Sequence, residues 1–282
     1  MSRSNLSEKG RRFVDMHKEA RAAGMPIVLP NVWDAGTAKI VAGEGYKALA
    51  TTSAGIAFAQ GLPDGELISA DAMLDAVGRI AAAVDLPVTA DLEAGYGKSP
   101  ADVAHTIRRA IDIGIVGANI EDSMAERNYA LHDFDYAIAR LKAARHAAEA
   151  TGIPFALNGR TDAFWGKKPD DAVAFAEAVK RANAYLKAGA TCAFVPFIGD
   201  AGVIARLAKA IDGPINVIAG PGMPPIKELA RMGVARISVG GTLTRAALGM
   251  VRQAARELMT TGTYEFAKPA IPHMELNKYF KP

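Results

Sequence analysis

Short apolar runs alternate with longer amphipathic stretches along almost the whole chain. The runs are Ile27–Leu29, Ala48–Thr52, Val88–Asp91, Gly117–Glu121, Phe155–Asn158, Cys192–Pro196, Ile215–Ile218 and Arg236–Val239. Each has strand length without period-two alternation, as expected of parallel strands covered on both faces. Between them, helical spacing predicts helices over Thr37–Gly43, Ala70–Val84, Pro100–Ile113, Asp135–Ala150, Asp170–Ala188, Ala201–Ala210, Pro224–Met232 and Thr242–Met259. A further amphipathic helix, Leu6–Ala23, precedes the first run. Gly24, Gly45, Gly114, Gly152, Gly189 and Gly233 stand where helices should end, and glycine tolerates the left-handed cap. Pro26, Pro87, Pro154 and Pro214 stand just before strands, where proline is tolerated. Ser69, Ser99 and Asp170 are the expected N-caps.

Strand then helix, eight times over, predicts an α/β fold of the (β/α)₈ TIM-barrel type. The expectation is one barrel domain over residues 1–282, with an extra N-terminal helix and a C-terminal helical appendage over residues 260–282. That appendage carries three prolines and a short helix at Met274–Phe280. An open doubly wound sheet is the competitor, but no G-x-G-x-x-G follows the first strand, which disfavours its dinucleotide-binding form.

Composition removes several classes. Hydrophobic residues make up 50% and charged residues 22%, unlike a disordered chain. The lone Cys192 cannot form an intrachain disulfide or a cysteine cluster. A scattered net charge of +3 gives no basic footprint for nucleic acid. No apolar run has the ~18 residues of a membrane span. The charged N-terminus lacks a signal-peptide core. A cytoplasmic protein is expected.

In such a barrel the chemistry gathers at the C-terminal ends of the strands. There the second strand leads into Ser53-Ala54-Gly55, the third into Asp91-Leu92-Glu93, the fourth into Glu121-Asp122-Ser123 and the fifth into Arg160-Thr161-Asp162. Asp91 and Glu93 share a strand face, and Glu121 stands on the neighbouring strand. Three converging carboxylates need a cation, and oxygen ligands without Cys or His suit Mg²⁺, with Mn²⁺ second. Arg160 offers a planar fork to a carboxylate or phosphonate. Ser53 and the backbone beside it offer donors to a second anionic group. Each residue also has a plainer reading. Strand-end acids often cap helices, Asp122 and Asp162 read as caps or supporting acceptors, and Arg160 could form a rim ion pair. His105 and His146 read as solvated helix faces, and Cys192 as a small buried hydrophobe. Gly220-Pro221-Gly222 and Gly240-Gly241 could cradle a phosphate or simply turn.

The same residues carry a likeness. Pro30-Asn31-Val32-Trp33-Asp34, Thr52-Ser53-Ala54-Gly55, Gly61-Leu62-Pro63-Asp64, Asp91-x-Glu93-Ala94-Gly95-Tyr96-Gly97, Ile120-Glu121-Asp122 and Asn158-x-Arg160-Thr161-Asp162 occur in that order. Over Leu29–Met259 the chain resembles the isocitrate lyase/phosphoenolpyruvate mutase superfamily. The resemblance implies a Mg²⁺-dependent barrel that makes or breaks a C–C or P–C bond beside a 2-oxo acid, through an enolate. It implies Asp91 as direct metal ligand, with Glu93, Glu121 and Asp64 holding metal-bound waters. Ser53, Ala54 and Gly55 would bind a substrate carboxylate, Arg160 the carboxylate or leaving group, and Asn216 the substrate. Ser53, Asp64 and Arg160 form the expected catalytic set. A homotetramer exchanging C-terminal helices is also implied.

Two departures from the family pattern matter. Glu93 replaces the family's usual second Asp. The lyases' Lys-Lys/Arg-Cys-Gly-His loop is absent after the fourth strand, where Ser123-Met124-Ala125-Glu126-Arg127-Asn128-Tyr129-Ala130-Leu131-His132 stands instead. Arg127, Tyr129 and His132 are lid candidates there, or ordinary loop residues. The expected reaction is C–C cleavage or decarboxylation of a small 2-oxo (di)carboxylate. Alternatives are P–C bond chemistry on a phosphono acid, as in a phosphonopyruvate hydrolase or a mutase, and a non-catalytic 2-oxo-acid binder. A barrel whose acids only cap helices is a further alternative. No nucleic-acid or membrane partner is expected.

Overall fold

A computed structural model describes residues 2–280; Met1 and the appendage's last two residues, 281 and 282, lie outside the described residues. The strands are β1 (Ile27–Leu29), β2 (Asn31–Val32), β3 (Leu49–Thr51), β4 (Val88–Asp91), β5 (Gly117–Glu121), β6 (Ser123–Met124), β7 (Ala130–Leu131), β8 (Ala156–Arg160), β9 (Cys192–Phe194), β10 (Ile215–Ile218) and β11 (Arg236–Ser238). All but β6 and β7 form one parallel sheet in the order β1-β11-β10-β9-β8-β5-β4-β3-β2. The first and last members of that order are consecutive stretches of chain separated by Pro30. Proline has no N–H for a ladder, yet its carbonyl still accepts from the Ala50 amide at 3.1 Å. The strand therefore changes partner at Pro30, from β11 to β3, and the sheet closes into the eight-stranded barrel.

The helices are α1 (Arg3–Ala23), α2 (Ala35–Gly43), α3 (Ser53–Ala59), α4 (Ala70–Ala83), α5 (Pro100–Asp112), α6 (Phe134–Thr151), α7 (Ala172–Lys187), α8 (Ala201–Ala210), α9 (Ile226–Arg231), α10 (Thr242–Thr260) and α11 (His273–Tyr279). Ser69 and Ser99 cap α4 and α5 through their side chains, as expected. Asp170 does not cap α7. Asp171 does, accepting from the amides of Val173 and Ala174, because the helix starts one residue later than its apolar pattern suggests. The glycines expected at helix ends all have positive φ. Three short features escaped the pattern: β2, which continues the first strand beyond Pro30; α3, which begins immediately after β3; and the β6–β7 hairpin, with two residues per strand. All are too short to establish a period.

α1 closes the barrel floor, burying Phe13, His17 and Ala20. Phe13 packs in one cluster with Ile27, Leu29, Ala50, Val116 and Ala156. Arg236 of β11 is buried there too, and its guanidinium meets His17 and Asn119 in place of a carboxylate. Its Nη1 lies 3.4 Å from His17 Nε2 and its Nη2 donates to Asn119 Oδ1 at 3.5 Å. At the other end of the chain, α11 folds back on α2. The Tyr279 hydroxyl donates to Glu44 at 3.0 Å. Among the described residues no helix is long and apolar enough to cross a membrane.

Candidate active site

Ser53, Ala54, Asp64, Asp91 and Arg160, with Tyr129 and the Gly240-Gly241 pair also singled out from the sequence, line one cavity of about 150 Å³ at the C-terminal mouth of the barrel. β3 and β4 are in register, so their ends bring Ser53 and Asp91 together. The Ser53 amide and hydroxyl donate to Asp91 Oδ2 at 3.2 and 2.9 Å. The Asp91 amide donates to Thr51 Oγ1 at 2.9 Å, and Asn119 Nδ2 reaches Asp91 Oδ1 at 3.4 Å. Asp64 enters from the α3–α4 loop beside Ser53. Burial, then the Asp91 charge, raises its pKa.

Glu93 and Glu121 stand behind this cavity rather than in its wall. Glu93 has φ of 50°, which turns it off the strand direction. Its Oε2 accepts from the Glu66 amide at 2.7 Å and its Oε1 from the Tyr96 hydroxyl at 2.8 Å. Burial, then the charge of Asp64, pushes its pKa up to about 8 despite the Tyr96 hydrogen bond. Glu121 is fully buried, and that burial holds its pKa well above the usual range even though Arg160 opposes the shift. Arg160 Nη1 meets Glu121 Oε2 at 2.6 Å, while Nε and Nη2 form a fork on Asp162 at 2.7 and 2.9 Å. Burial disfavours the guanidinium charge, but Asp162 and Glu121 outweigh it and hold its pKa well above the ordinary value. Ser123 completes the cluster by donating to Asp162 Oδ2 at 2.6 Å.

Asp162 thus orients Arg160, and Asp122 supports the layer beneath. Asp122 accepts from the Asp162 amide at 3.0 Å, from Arg181 at 3.2 Å and from the Tyr185 hydroxyl at 2.5 Å. Gly55 lies outside the cavity wall, and its amide donates to Thr52 Oγ1 at 3.3 Å. Asn216 lies deeper in the barrel, donating to Ser238 Oγ at 3.1 Å and accepting from Asn158 at 3.2 Å. Cys192 is buried, and burial pushes its thiol up to about 12, far from a reactive thiolate.

The hairpin after β5 arches over the mouth. Of its three lid candidates, Tyr129 lines the cavity. Arg127 and His132 line a neighbouring cavity of about 680 Å³ on the hairpin's other side. The wall of the mouth is aromatic: Tyr129 stacks on Trp165 with centroids 4.0 Å apart, and Trp165 meets Phe197 edge-on at 4.8 Å. Trp165 and Phe197 went unnoticed in the sequence because single aromatics in loops carry no pattern. Asn119 and Ser238, also in the lining, sit inside strands whose apolar runs conceal them, and Asn31, quoted above only as part of a motif, lines the cavity too. The non-glycine residues with left-handed backbone are Glu66, Glu93, Tyr96, Asn128, Tyr129 and Phe197. All belong to loops at this end of the barrel, where strain concentrates in functional sites.

The donor set suits a hard divalent cation. Asp64, Asp91, Glu93, Glu121 and Asp162 crowd around a single guanidinium, and burial raises the pKa of Asp64, Glu93 and Glu121 because one guanidinium does not compensate five carboxylates; a cation in the site would favour their ionised forms. Among the described residues no three His, Cys, Asp or Glu side chains are spaced to cage an ion directly. A cation here would take one or two carboxylates and keep waters, which is the habit of Mg²⁺.

Comparison with known proteins places these features in a lineage. The family model described as phosphoenolpyruvate phosphomutase matches residues 16–259. An uncharacterized protein of Mycobacterium tuberculosis is 32% identical over 94% of each chain. The 2-methylisocitrate lyase of Escherichia coli is 29% identical over 67% of this chain and 64% of its own. A crystal structure from Burkholderia cenocepacia, described as a lyase/mutase, superposes with a TM-score of 0.90. It shares 40% identity and covers 98% of this chain and 97% of its own.

Proposed function

The chain belongs to the phosphoenolpyruvate phosphomutase family, within the isocitrate lyase/phosphoenolpyruvate mutase superfamily, and we propose that it is a Mg²⁺-dependent lyase of a small 2-oxo acid. On a 2-oxo dicarboxylate it would break the C3–C4 bond, one carbon from the keto group: the C4 carboxylate would leave as CO2, the bonding electrons would pass into the C2–C3 enolate, and C3 would then take a proton. The observation that carries this reading is the cavity itself, where Asp64 and Asp91 face the same space as Arg160 and Ser53. Asp91 would hold the cation directly, with Asp64, Glu93 and Glu121 reaching it through water. The cation would supply positive charge to the keto oxygen as enolate character develops.

The chain's own residues supply the rest. Ser53 keeps Asp91 turned into the cavity by two hydrogen bonds. Arg160 presents its remaining N–H groups to the substrate carboxylate while Asp162 and Glu121 fix its plane. Asp64, whose pKa burial and the Asp91 charge raise, would exchange a proton with the enolate carbon. Tyr129 and Trp165 close the mouth against water. The name of the Escherichia coli relative, a lyase, agrees with C–C chemistry. With Cys192 buried in β9, a proton donor other than cysteine is required, and Asp64 or water meets that need.

The test is a thermal-shift series with and without Mg²⁺, across oxalate, pyruvate, oxaloacetate and phosphonopyruvate, followed by product analysis. Ligands that bind the native state raise the midpoint by mass action. A shift that needs both Mg²⁺ and a 2-oxo acid, and that disappears in Asp91→Ala while the barrel stays folded, is expected. An active Asp91→Ala enzyme would overturn the assignment. Phosphate release from phosphonopyruvate would move the chemistry to the P–C bond.

The protein would work as a homotetramer. α10 spans 19 residues and buries only Thr244, leaving Leu248, Val251 and Met259 exposed on a single chain. Sedimentation analysis would test this, and a monomer at micromolar concentration would exclude it.

A further inference from the structure

The interior of a (β/α)₈ barrel is ordinarily filled by Val, Ile and Leu. Here β11 places Arg236 there, 1% exposed. Arg236 and Ser238 are two residues apart on one strand and so share a face. Ser238 lines the catalytic cavity, and Arg236 therefore stands one layer beneath it, with its guanidinium 5.8 Å from the centroid of the Phe13 ring. Holding such a charge out of water is costly unless something compensates it. Its nearest contacts do so only in part. His17 Nε2 lies 3.4 Å from Nη1, Asn119 Oδ1 accepts from Nη2 at 3.5 Å, and Nε has no hydrogen-bond partner among the described residues. Burial pulls the Arg236 pKa down to about 10, with Cys192 and Asp91 opposing the fall. The guanidinium thus stays charged at neutral pH. Cys192 stays a neutral thiol, so Asp91 is the anion of that pair.

The route upward runs through Asn119. Its Oδ1 accepts from Asn158 Nδ2 at 2.6 Å as well as from Arg236. Two donors on the carbonyl end turn Nδ2 the other way, where it reaches Asp91 Oδ1 at 3.4 Å. That contact is long, and an amide nitrogen carries two N–H groups, so Asn119 keeps donor capacity in the cavity lining. Asn31, in the same lining, is spent. Its Oδ1 accepts from the amides of Val239 and Gly240 at 2.8 Å each, and its Nδ2 donates to the Thr51 carbonyl at 2.6 Å. Arg160, the cation in the wall, is already held by Glu121 and Asp162. The polar inner end of the cavity is therefore made of neutral groups with a buried cation behind them.

We propose that Arg236 is a positioning residue of the catalytic cavity: from the layer beneath, it orients Asn119 and lends the polar inner end the positive charge that draws in the substrate's anionic groups. This rests on the 2-oxo-acid reading above. Two contacts and the one amide between them join the guanidinium to Asp91. A unit charge about 10 Å from an anion, in partly buried surroundings, changes a binding constant by roughly five- to fifteenfold. The effect has a sign that a packing role lacks. Positive charge beneath the cavity favours a bound anion and disfavours a bound cation, so its removal should act oppositely on the two.

The experiment measures dissociation constants by calorimetry for Mg²⁺ alone and for oxalate at saturating Mg²⁺. The proteins are wild type, Arg236→Met and Arg236→Lys, each checked for folding by thermal unfolding; Arg236→Gln takes the place of Arg236→Met if the latter does not fold. Loss of the charge should weaken oxalate binding at least about fivefold, while Mg²⁺ alone binds no more weakly than to wild type. Arg236→Lys keeps the charge and should bind oxalate nearly as wild type does. Unchanged oxalate affinity in Arg236→Met would overturn the proposal, as would an equal loss in Arg236→Met and Arg236→Lys. So would Mg²⁺ and oxalate binding weakened in the same proportion, which is the mark of a merely structural role. Absence of oxalate binding by the wild-type protein with Mg²⁺ would overturn the 2-oxo-acid reading itself and this proposal with it.

Discussion

Acid should loosen the floor of the barrel through one side chain. His17 Nδ1 lies 2.8 Å from the Phe13 carbonyl, and its Nε2 faces Arg236 at 3.4 Å. The carbonyl can only accept, so Nδ1 carries the proton and Nε2 is left as an acceptor for the guanidinium. A second proton on the ring would be trapped beside Arg236 in a dry site. Burial, then the Arg236 charge, accordingly lowers the His17 pKa from 6.5 to about 3. The unfolded chain takes up this proton near its ordinary pKa, whereas the folded chain refuses it until far lower pH. Stability is therefore complete above pH 6.5 and drains away as pH falls towards 3. The slope is about 1.4 kcal/mol per pH unit, so lowering the pH from roughly 7.5 to roughly 5 costs about 2 kcal/mol through His17 alone. His17→Gln keeps an amide at this place and has no titrating ring. Urea midpoints for the two proteins, measured at both pH values, should show the variant gaining about 2 kcal/mol relative to wild type at the acid end. Arg236→Met should raise the His17 pKa and flatten the wild-type slope. Parallel acid losses in wild type and His17→Gln would refute the argument.

Other perturbations follow from the same contacts. Cys192→Ser should leave turnover close to wild type, and the native thiol should resist a disulfide reagent until the protein unfolds; rapid native labelling would contradict its burial. Gly55→Ala places a methyl 2.5 Å from Thr244 Oγ1 and Thr52 Cγ2, and should destabilise by about 1–3 kcal/mol in denaturant unfolding. Tyr185→Phe removes a donor 2.5 Å from the buried Asp122. It should cost about 1–3 kcal/mol and lower turnover more than it weakens binding, because Asp122 supports the Asp162–Arg160 fork.

The family likeness lies in short motifs whose order survives in the chain, and closure of the barrel brings their Ser53, Asp64, Asp91 and Arg160 to one cavity. Glu93 and Glu121 are neighbours of Asp91 by strand position, yet local contacts draw both out of the cavity wall. Glu93 turns away through its left-handed backbone and the amide of Glu66. Glu121 is drawn to Arg160. Neither partner is near in sequence, so no spacing could reveal the pairing. Tyr129, Trp165 and Phe197 form one surface although 32 residues separate Trp165 from Phe197.

What the sequence determined by itself was everything governed by periodicity and by backbone chemistry. Eight buried strands, the helices between them, the glycine ends and the proline starts depend on a residue and its near neighbours, and such preferences are written locally. Which charges meet, by contrast, is a property of the assembled barrel. The closing of the barrel at Pro30, the commitment of Arg160 to Glu121 and Asp162, and the aromatic wall over Asp91 all depend on contacts between segments far apart in the chain. A side chain's partner, burial and pKa are set by the three-dimensional neighbourhood that closure creates, and that neighbourhood exists only once the barrel has formed.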